Sequence, residues 1–357
     1  MKRVPDKPHI VLGIMSGTSL DGLDLAICRF SKSRNGWNFE LLESKTIAYT
    51  DEMRKNLDNA FSLSGDKLMS LDNNYGIFVA DSSMEFIAKT GLPVELICSH
   101  GHTVFHQPEN GLTCQIGSGA SIAAITGITT ISDFRRMDVA LGGQGAPLVP
   151  AGDELLFSDY DYCLNLGGFA NISYRYGNKR MAFDICPVNI ILNLLAQQTG
   201  NIFDMDGKLG ASDNNDLDLL RKLNEIEYYK LPPPKSLGRE WMFREFIPVL
   251  DGSNLPHTTK IRTVYEHIAY QIAAVTDQNK TILITGGGAH NKFLMDLIKQ
   301  KTKSICILPD NHLIDYKEAI IFAFLGLLRT IGEINCFASV TGASRDSCCG
   351  VVNMGKI

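Results

Sequence analysis

No run of 18 consecutive apolar residues occurs in this 357-residue chain, so the sequence offers no helix long enough to span a bilayer. Its longest apolar run, Ala319 to Leu328 with Gly326 inside it, has the length of a buried helix. No apolar run precedes Pro5 and Pro8 in MKRVPDKPHI, so the first residues do not read as a signal peptide. No CxxC pair is present either. The nine cysteines are scattered, mostly inside apolar segments, which predicts buried reduced thiols rather than disulfides or a zinc site. Basic charge is not in excess: 34 Lys and Arg stand against 39 Asp and Glu, for a net charge of −5. That balance excludes the polyanion-binding surface of a nucleic-acid protein. Short repeats and low-complexity segments are missing. Together these absences predict a cytoplasmic protein with neither a nucleic-acid nor a membrane partner.

What remains is ordinary globular composition, 45% hydrophobic and 20% charged, at a length that suits two domains. Residues 9–15, 23–30 and 37–49 read as strands, the first two flanking a tight polar loop, which makes a hairpin. Residues 50–60 and 68–90 read as helices, the second stopped by Gly91 with Pro93 just beyond. Strands follow at 94–99, 113–117 and 129–132, with a helix near 118–126 between the last two. The pattern then recurs. Strands at 162–165 and 171–176 surround a second glycine-rich turn, helices lie at 190–198, 216–226 and 261–276, and a continuous apolar strand at 281–285 leads to a helix at 291–301. The last long helix is expected at 316–331. Strand hairpins followed by helices, occurring twice, predict an α/β protein of two related halves. The domains are expected at 1–134 and 135–357, with the crossover close to the loop Gly142-Gly143-Gln144-Gly145-Ala146-Pro147.

Three glycine-rich turns carry the candidate chemistry. The first runs Ser16-Gly17-Thr18-Ser19-Leu20-Asp21-Gly22-Leu23. Its glycines let backbone N–H groups approach an anion, and three hydroxyls add donors. It is not a Walker A loop, because it lacks Gly-Lys-Ser/Thr and precedes a strand. The same residues also suit a plain hairpin turn. The second, Asn165-Leu166-Gly167-Gly168-Phe169-Ala170-Asn171, repeats the pattern, and two such hairpins can grip a triphosphate. The third, Gly286-Gly287-Gly288, stands between a buried strand and a helix, which suits a nucleotide or equally a tight turn. Asp184 lies where a strand breaks at Pro187. It is either a carboxylate facing a cleft or a cap for the next helix. Arg135 and Arg136 are either a clamp for an anionic substrate group or a solvated charge cluster. His100, His102 and His106 are spaced too loosely to argue for zinc without a fourth ligand.

Six motifs then occur in one order: GIMSGTSLDGLD, SHGHTVFH, DFRRMDVALGGQGAPLVP, LNLGGFANIS, KSLGRE and ITGGGAHN. In this order, from Gly13 to Gly342, the chain resembles the anhydro-N-acetylmuramic acid kinases. The resemblance implies a two-domain actin-like ATPase fold with ribonuclease H-like halves and ATP in the interdomain cleft. It implies a homodimer and Mg²⁺ as cofactor, with Asp21 holding the metal through water. The implied reaction opens the ring of 1,6-anhydro-N-acetylmuramic acid with water and phosphorylates O6, giving N-acetylmuramic acid 6-phosphate in cell-wall recycling. By position, Ser16 to Leu23 match the ATP phosphate loop, Asp184 the general base, and His100, Arg135 and Glu318 the sugar site. Two departures fall nearby. The family reads Phe-Asp-X-Gly-Pro-Gly-Asn around its base, whereas this chain reads Phe183-Asp184-Ile185-Cys186-Pro187-Val188-Asn189. The usual Gln of SHGQT is His102. If the two glycines serve positive φ or close approach, Cys186 and Val188 obstruct the site. The altered segment therefore leaves two further outcomes: a kinase for a related amino sugar, or a nucleotide-binding homologue with weak turnover.

Overall fold

The computed structural model describes residues 7–17, 20, 22–34 and 36–356. The chain divides into two compact units, Met1–Phe157 joined by Tyr316–Ile357, and Ser158–Asp315.

The first unit opens with β1 (His9–Ser16), β2 (Gly22–Ser33) and β3 (Gly36–Ala48), an antiparallel meander. Helix Gly65–Thr90 follows and ends at Gly91, whose φ of 65° only glycine adopts freely and whose N–H closes the last turn on Ile87. β4 (Leu96–Ser99) then lies parallel to β1, and all four of its residues are buried. Such a run without polar alternation is what a strand covered on both faces requires. β5 (His102–Gln107) and β6 (Leu112–Ile116) form a separate two-stranded ribbon, and β7 (Thr130–Ser132) continues the main sheet parallel to β4. The strand order is β3-β2-β1-β4-β7.

The second unit repeats that order. β8 (Tyr162–Leu166), β9 (Phe169–Tyr176) and β10 (Lys179–Pro187) form the meander, and β11 (Thr281–Thr285) and β12 (Ile305–Ile307) add in parallel, giving β10-β9-β8-β11-β12. Its core runs from Tyr162 to Ile314, with helices Asn189–Gln197 and His257–Ala274 supplying much of it. Each fully buried Leu, Ile or Phe there contributes roughly 1.5–3 kcal/mol. Three antiparallel strands followed by two parallel ones is the ribonuclease H-like arrangement, and its duplication in one chain is the actin-like pattern expected from the hairpin repeat.

The chain returns to the first unit through helix Asn311–Ile331. Small residues let this helix approach closely. A Cβ on Gly13 of β1 would collide with the Ala319 carbonyl, and one on Gly326 with Cys98 Sγ of β4. The final strand, β13 (Val351–Asn353), pairs antiparallel with β7. Among the described residues no helix is long and apolar enough to cross a membrane, and all nine cysteines are free thiols.

The structure moves the expected division at residues 134 and 135. Residues 135–157 remain with the first unit, because the Asp138 carboxylate holds Gly145 N at 2.7 Å and accepts from Thr341 Oγ1 at 2.7 Å, and Phe157 packs edge-on against Phe39. The glycine-rich loop marks a closed turn on Asp138 rather than a crossover. Residues 102–107, to which the sequence assigned no element, form a strand, and the last long helix starts at Asn311 rather than at Tyr316.

Candidate active site

In the first turn, Ser16 ends β1 with its side chain buried. Its Oγ accepts from Tyr49 OH at 2.8 Å and lies 3.2 Å from His102 Nδ1, and Tyr49 OH is 2.7 Å from Tyr75 OH. Leu20 N donates to Gly17 O at 3.4 Å, and Leu20 takes a left-handed φ of 58°. Thr18, Ser19 and Asp21 lie outside the described residues. Gly22 begins β2, where a Cβ would meet Ile47 O of β3 at 2.6 Å. The Leu23 side chain belongs to the core, so only its backbone is available to a ligand.

His100, Arg135 and Glu318 gather in the same unit. The carbonyl of Gly101, an acceptor only, lies 2.8 Å from His100 Nδ1, so that nitrogen carries the proton. His100 Nε2 accordingly accepts from Arg135 Nε at 2.9 Å. Burial, and after it the Arg135 charge, holds His100 well below its usual pKa and therefore neutral. Arg135 Nη1 donates to Gly145 O at 2.7 Å, which fixes the guanidinium plane. Burial brings Arg135 down to about 10, with the Glu318 charge opposing, so it stays a cation at neutral pH. Burial raises Glu318, against the charges of Arg135 and Lys317. Arg136 is separated from this group: it is exposed and pairs with Asp133 at 3.3 Å. The two arginines that the sequence presents as a pair thus have different surroundings. His102 sits against Ser16 and His106 against Thr113, so the three histidines do not share a centre.

Asp184 stands in β10 opposite Asn171 of β9, at a bulge that leaves Ile185 without a partner. Bulges re-aim side chains and recur beside active sites. Residues 228–237 close over it: Asp184 N donates to Lys235 O at 3.1 Å, Tyr228 OH donates to Asp184 O at 2.6 Å, and Leu237 N donates to Asp184 Oδ2 at 2.8 Å. Burial raises the carboxyl to about 6, against the Leu237 hydrogen bond. The helix-cap reading fails, because the residue at the start of helix Asn189–Gln197 is Val188 and no side chain caps it. The helix start is closed instead by Val188 N and Ile190 N donating to Gly168 O, and Asn189 N donating to Gly167 O. The second glycine turn is thereby tied to the strand that carries Asp184.

The third turn needs its glycines for packing. Gly286 has a φ of 84°, and a Cβ there would collide with Asn165 Oδ1, while one on Gly288 would meet Leu166 Cβ at 2.8 Å. Gly287 is open and faces a cavity of about 200 Å³, lined also by Asn189, Phe203, Tyr265, His290 and Asn291. Tyr265 OH donates to Asp204 Oδ2 at 3.0 Å and accepts from Asn291 Nδ2 at 2.7 Å, which fixes one wall. The cavity is smaller than a typical site for a whole ligand and suits one part of a nucleotide. Sequence reasoning marked Gly287 and missed the rest of the lining, because it is drawn from four separate segments. It also missed Tyr228 and Tyr49, which no motif marks.

A family model described as anhydro-N-acetylmuramic acid kinase matches residues 9–355. The chain belongs to that family. An anhydro-N-acetylmuramic acid kinase of Shewanella baltica (strain OS223) is 37% identical, over 95% of this chain and 97% of its own length. One of Xylella fastidiosa (strain Temecula1) is 35% identical, over 95% and 94%. One of Synechococcus elongatus is 36% identical, over 96% and 98%.

Against the family's glycine pattern, the structure corrects the expectation drawn from Cys186 and Val188. Neither residue has a positive φ; that of Val188 is −126°. Both side chains are completely buried in the core of the second unit. They fill apolar space there, and neither position calls for the left-handed backbone that would require glycine.

Proposed function

We propose that this kinase-family enzyme uses ATP to phosphorylate 1,6-anhydro-N-acetylmuramic acid at O6, with water opening the anhydro ring. Asp184 carries the reading. A general base works best with a pKa near the operating pH, and burial places this carboxyl at about 6. Among the described residues its carboxylate has one hydrogen bond, on Oδ2 from Leu237. In the proposed reaction the carboxylate takes a proton from the water attacking C1. The C1–O6 bond breaks as the C1–O bond to water forms. O6 then bonds to the γ-phosphorus while the bond to the β-phosphate oxygen breaks, leaving ADP. This chain is assigned positioning and charge stabilisation in the phosphoryl step.

Arg135, locked by His100 and Gly145, is suited to an anionic group of the sugar, and Glu318 to its hydroxyls. The turns at Ser16–Leu23, Gly167–Asn171 and Gly286–Gly288 are assigned to the nucleotide, and the cavity beside Gly287 to its nucleoside part. Magnesium would neutralise phosphate charge, and Asp21, the residue matched to it, lies outside the described residues. A homodimer in the cytoplasm fits the family resemblance. The test is ATP consumption with and without the anhydro sugar, and with other amino sugars. Turnover with the anhydro sugar alone is expected, and turnover only with a different amino sugar would overturn the substrate assignment.

A further inference from the structure

One buried side chain beside the first turn has no role in the mechanism above. His102 begins β5 opposite Ile116 of β6, and its ring is 5% exposed. It belongs to a chain of polar groups within the first unit. Tyr75 is fully buried, and Ser16, Tyr49 and His102 nearly so. Tyr49 OH has a single proton and gives it to Ser16 Oγ at 2.8 Å. Tyr75 must therefore donate to Tyr49 across their 2.7 Å contact. That leaves Ser16 one proton of its own, and His102 Nδ1 lies 3.2 Å from its oxygen.

We propose that His102 is a positioning residue for the phosphate turn: the proton state of its Nδ1 decides whether the Ser16 hydroxyl points back at the ring or forward into the turn. The proposal rests on reading Ser16–Leu23 as the phosphate turn. With an Nδ1 lone pair facing Ser16, the ring accepts the Ser16 hydrogen bond and the turn meets only the oxygen. With a proton on Nδ1, Ser16 accepts from both Tyr49 and His102, and its own O–H is free to donate to a phosphate oxygen. The protonated ring also adds positive charge beside an anion.

The groups around the ring leave it neutral at pH 7. Burial lowers its pKa, and the charge of Asp58, from helix Asp51–Asp58, opposes this. Tyr75 presents its ring edge-on from helix Gly65–Thr90. On that helix the Asp72 carboxylate is engaged by Gly117 N at 2.7 Å. His100, two residues before His102, is neutral and bonded to Arg135. In the neutral tautomer with its proton on Nε2, acidification switches Nδ1 from acceptor to donor. It tightens ATP binding, while the same acidification protonates Asp184 and slows turnover. The two effects separate in KM for ATP and in kcat.

The experiment is calorimetric titration of ATP into the full-length protein without sugar, from about pH 8 down to about pH 4.5, because the buried ring titrates below the ordinary histidine value of about 6.5. Parent, His102→Gln and Ser16→Ala are compared, so the nucleotide's own protonation cancels. The expected ratio of parent to His102→Gln affinity rises about 2- to 10-fold toward acid, the worth of one hydrogen bond. A ratio constant across the range overturns the role of His102. Ser16→Ala binding ATP as tightly as the parent at every pH overturns the phosphate-turn reading, and the proposal with it. A second measurement needs no variant. Binding linkage is reciprocal, so saturating ATP is expected to raise the His102 titration midpoint seen by NMR, and an unmoved midpoint also overturns the proposal.

Discussion

Asp184 combines two properties that pull against each other. Its carboxyl is raised to about 6 by burial, which suits a base and costs stability. The Asp184→Asn protein is expected to keep its fold and bind ATP while losing turnover by about 10⁴-fold, the upper part of the range for general base catalysis. A capping role would predict almost no loss, since Asn caps as well as Asp, and the helix start at Val188 already argues against it. The pH dependence follows from the same number. The base form exists above about 6, so kcat in the parent should fall as pH drops through that value. Stability moves the other way. The folded pKa lies above the unfolded value of about 3.9, so the folded state holds its proton longer and ionisation destabilises it as pH rises from about 4 to about 6. Thermal melting should therefore show Asp184→Asn more stable than the parent above about pH 6, with the gain gone below about pH 4. A variant no more stable at high pH would show that the carboxylate is better solvated than its surroundings indicate.

At the scale of elements, single side chains set how closely strands and helices approach. Val188 closes the bulged end of β10 and is completely buried. Replacing it with the family's glycine removes core packing and adds backbone freedom, so chemical denaturation of Val188→Gly should show a loss of about 2–5 kcal/mol, the range of large-to-small core changes. A gain in activity without that loss would return the residue to the site. Gly13 works in the opposite sense. A Cβ there meets the backbone of helix Asn311–Ile331 at Ala319, and backbone cannot rotate away as a side chain can. Gly13→Ala is expected to destabilise by at least about 1–3 kcal/mol, the usual cost of overpacking, read as a lower denaturant midpoint.

The whole molecule is one continuous unit inserted into another. The second unit runs unbroken through residues 158–315 and contains its complete five-stranded sheet. Its core draws only on residues within that span. Residues 158–315 expressed alone should therefore unfold in one cooperative transition. The first unit is assembled from both ends of the chain, and removing residues 316–357 takes away all but the first turn of the helix seated on β1 and β4, together with strand β13. That truncation should leave the first unit unfolded by hydrogen exchange and the second protected. Equal protection of both units would show that the early strands hold without their helix.

By itself the sequence determined the two hairpins, the helix stops and the family, because these are written in local patterns: apolar runs, Gly91 after a long amphipathic stretch, and six ordered motifs. It marked Asp184, Arg135 and the three turns, and it left cap against base, and clamp against surface charge, undecided at those positions. Tertiary structure removed the cap reading and gave the two arginines different partners. Residues 228–237 come from far along the chain to close over Asp184, and Gly145 and His100 lock Arg135 while Arg136 turns to Asp133. It also decided the division between units, since nothing local in residues 316–331 says which sheet that helix covers. It reversed the expectation for Cys186 and Val188 as well. A side chain's direction at a bulge depends on strand register, and register is set by the neighbouring strand rather than by the residues themselves.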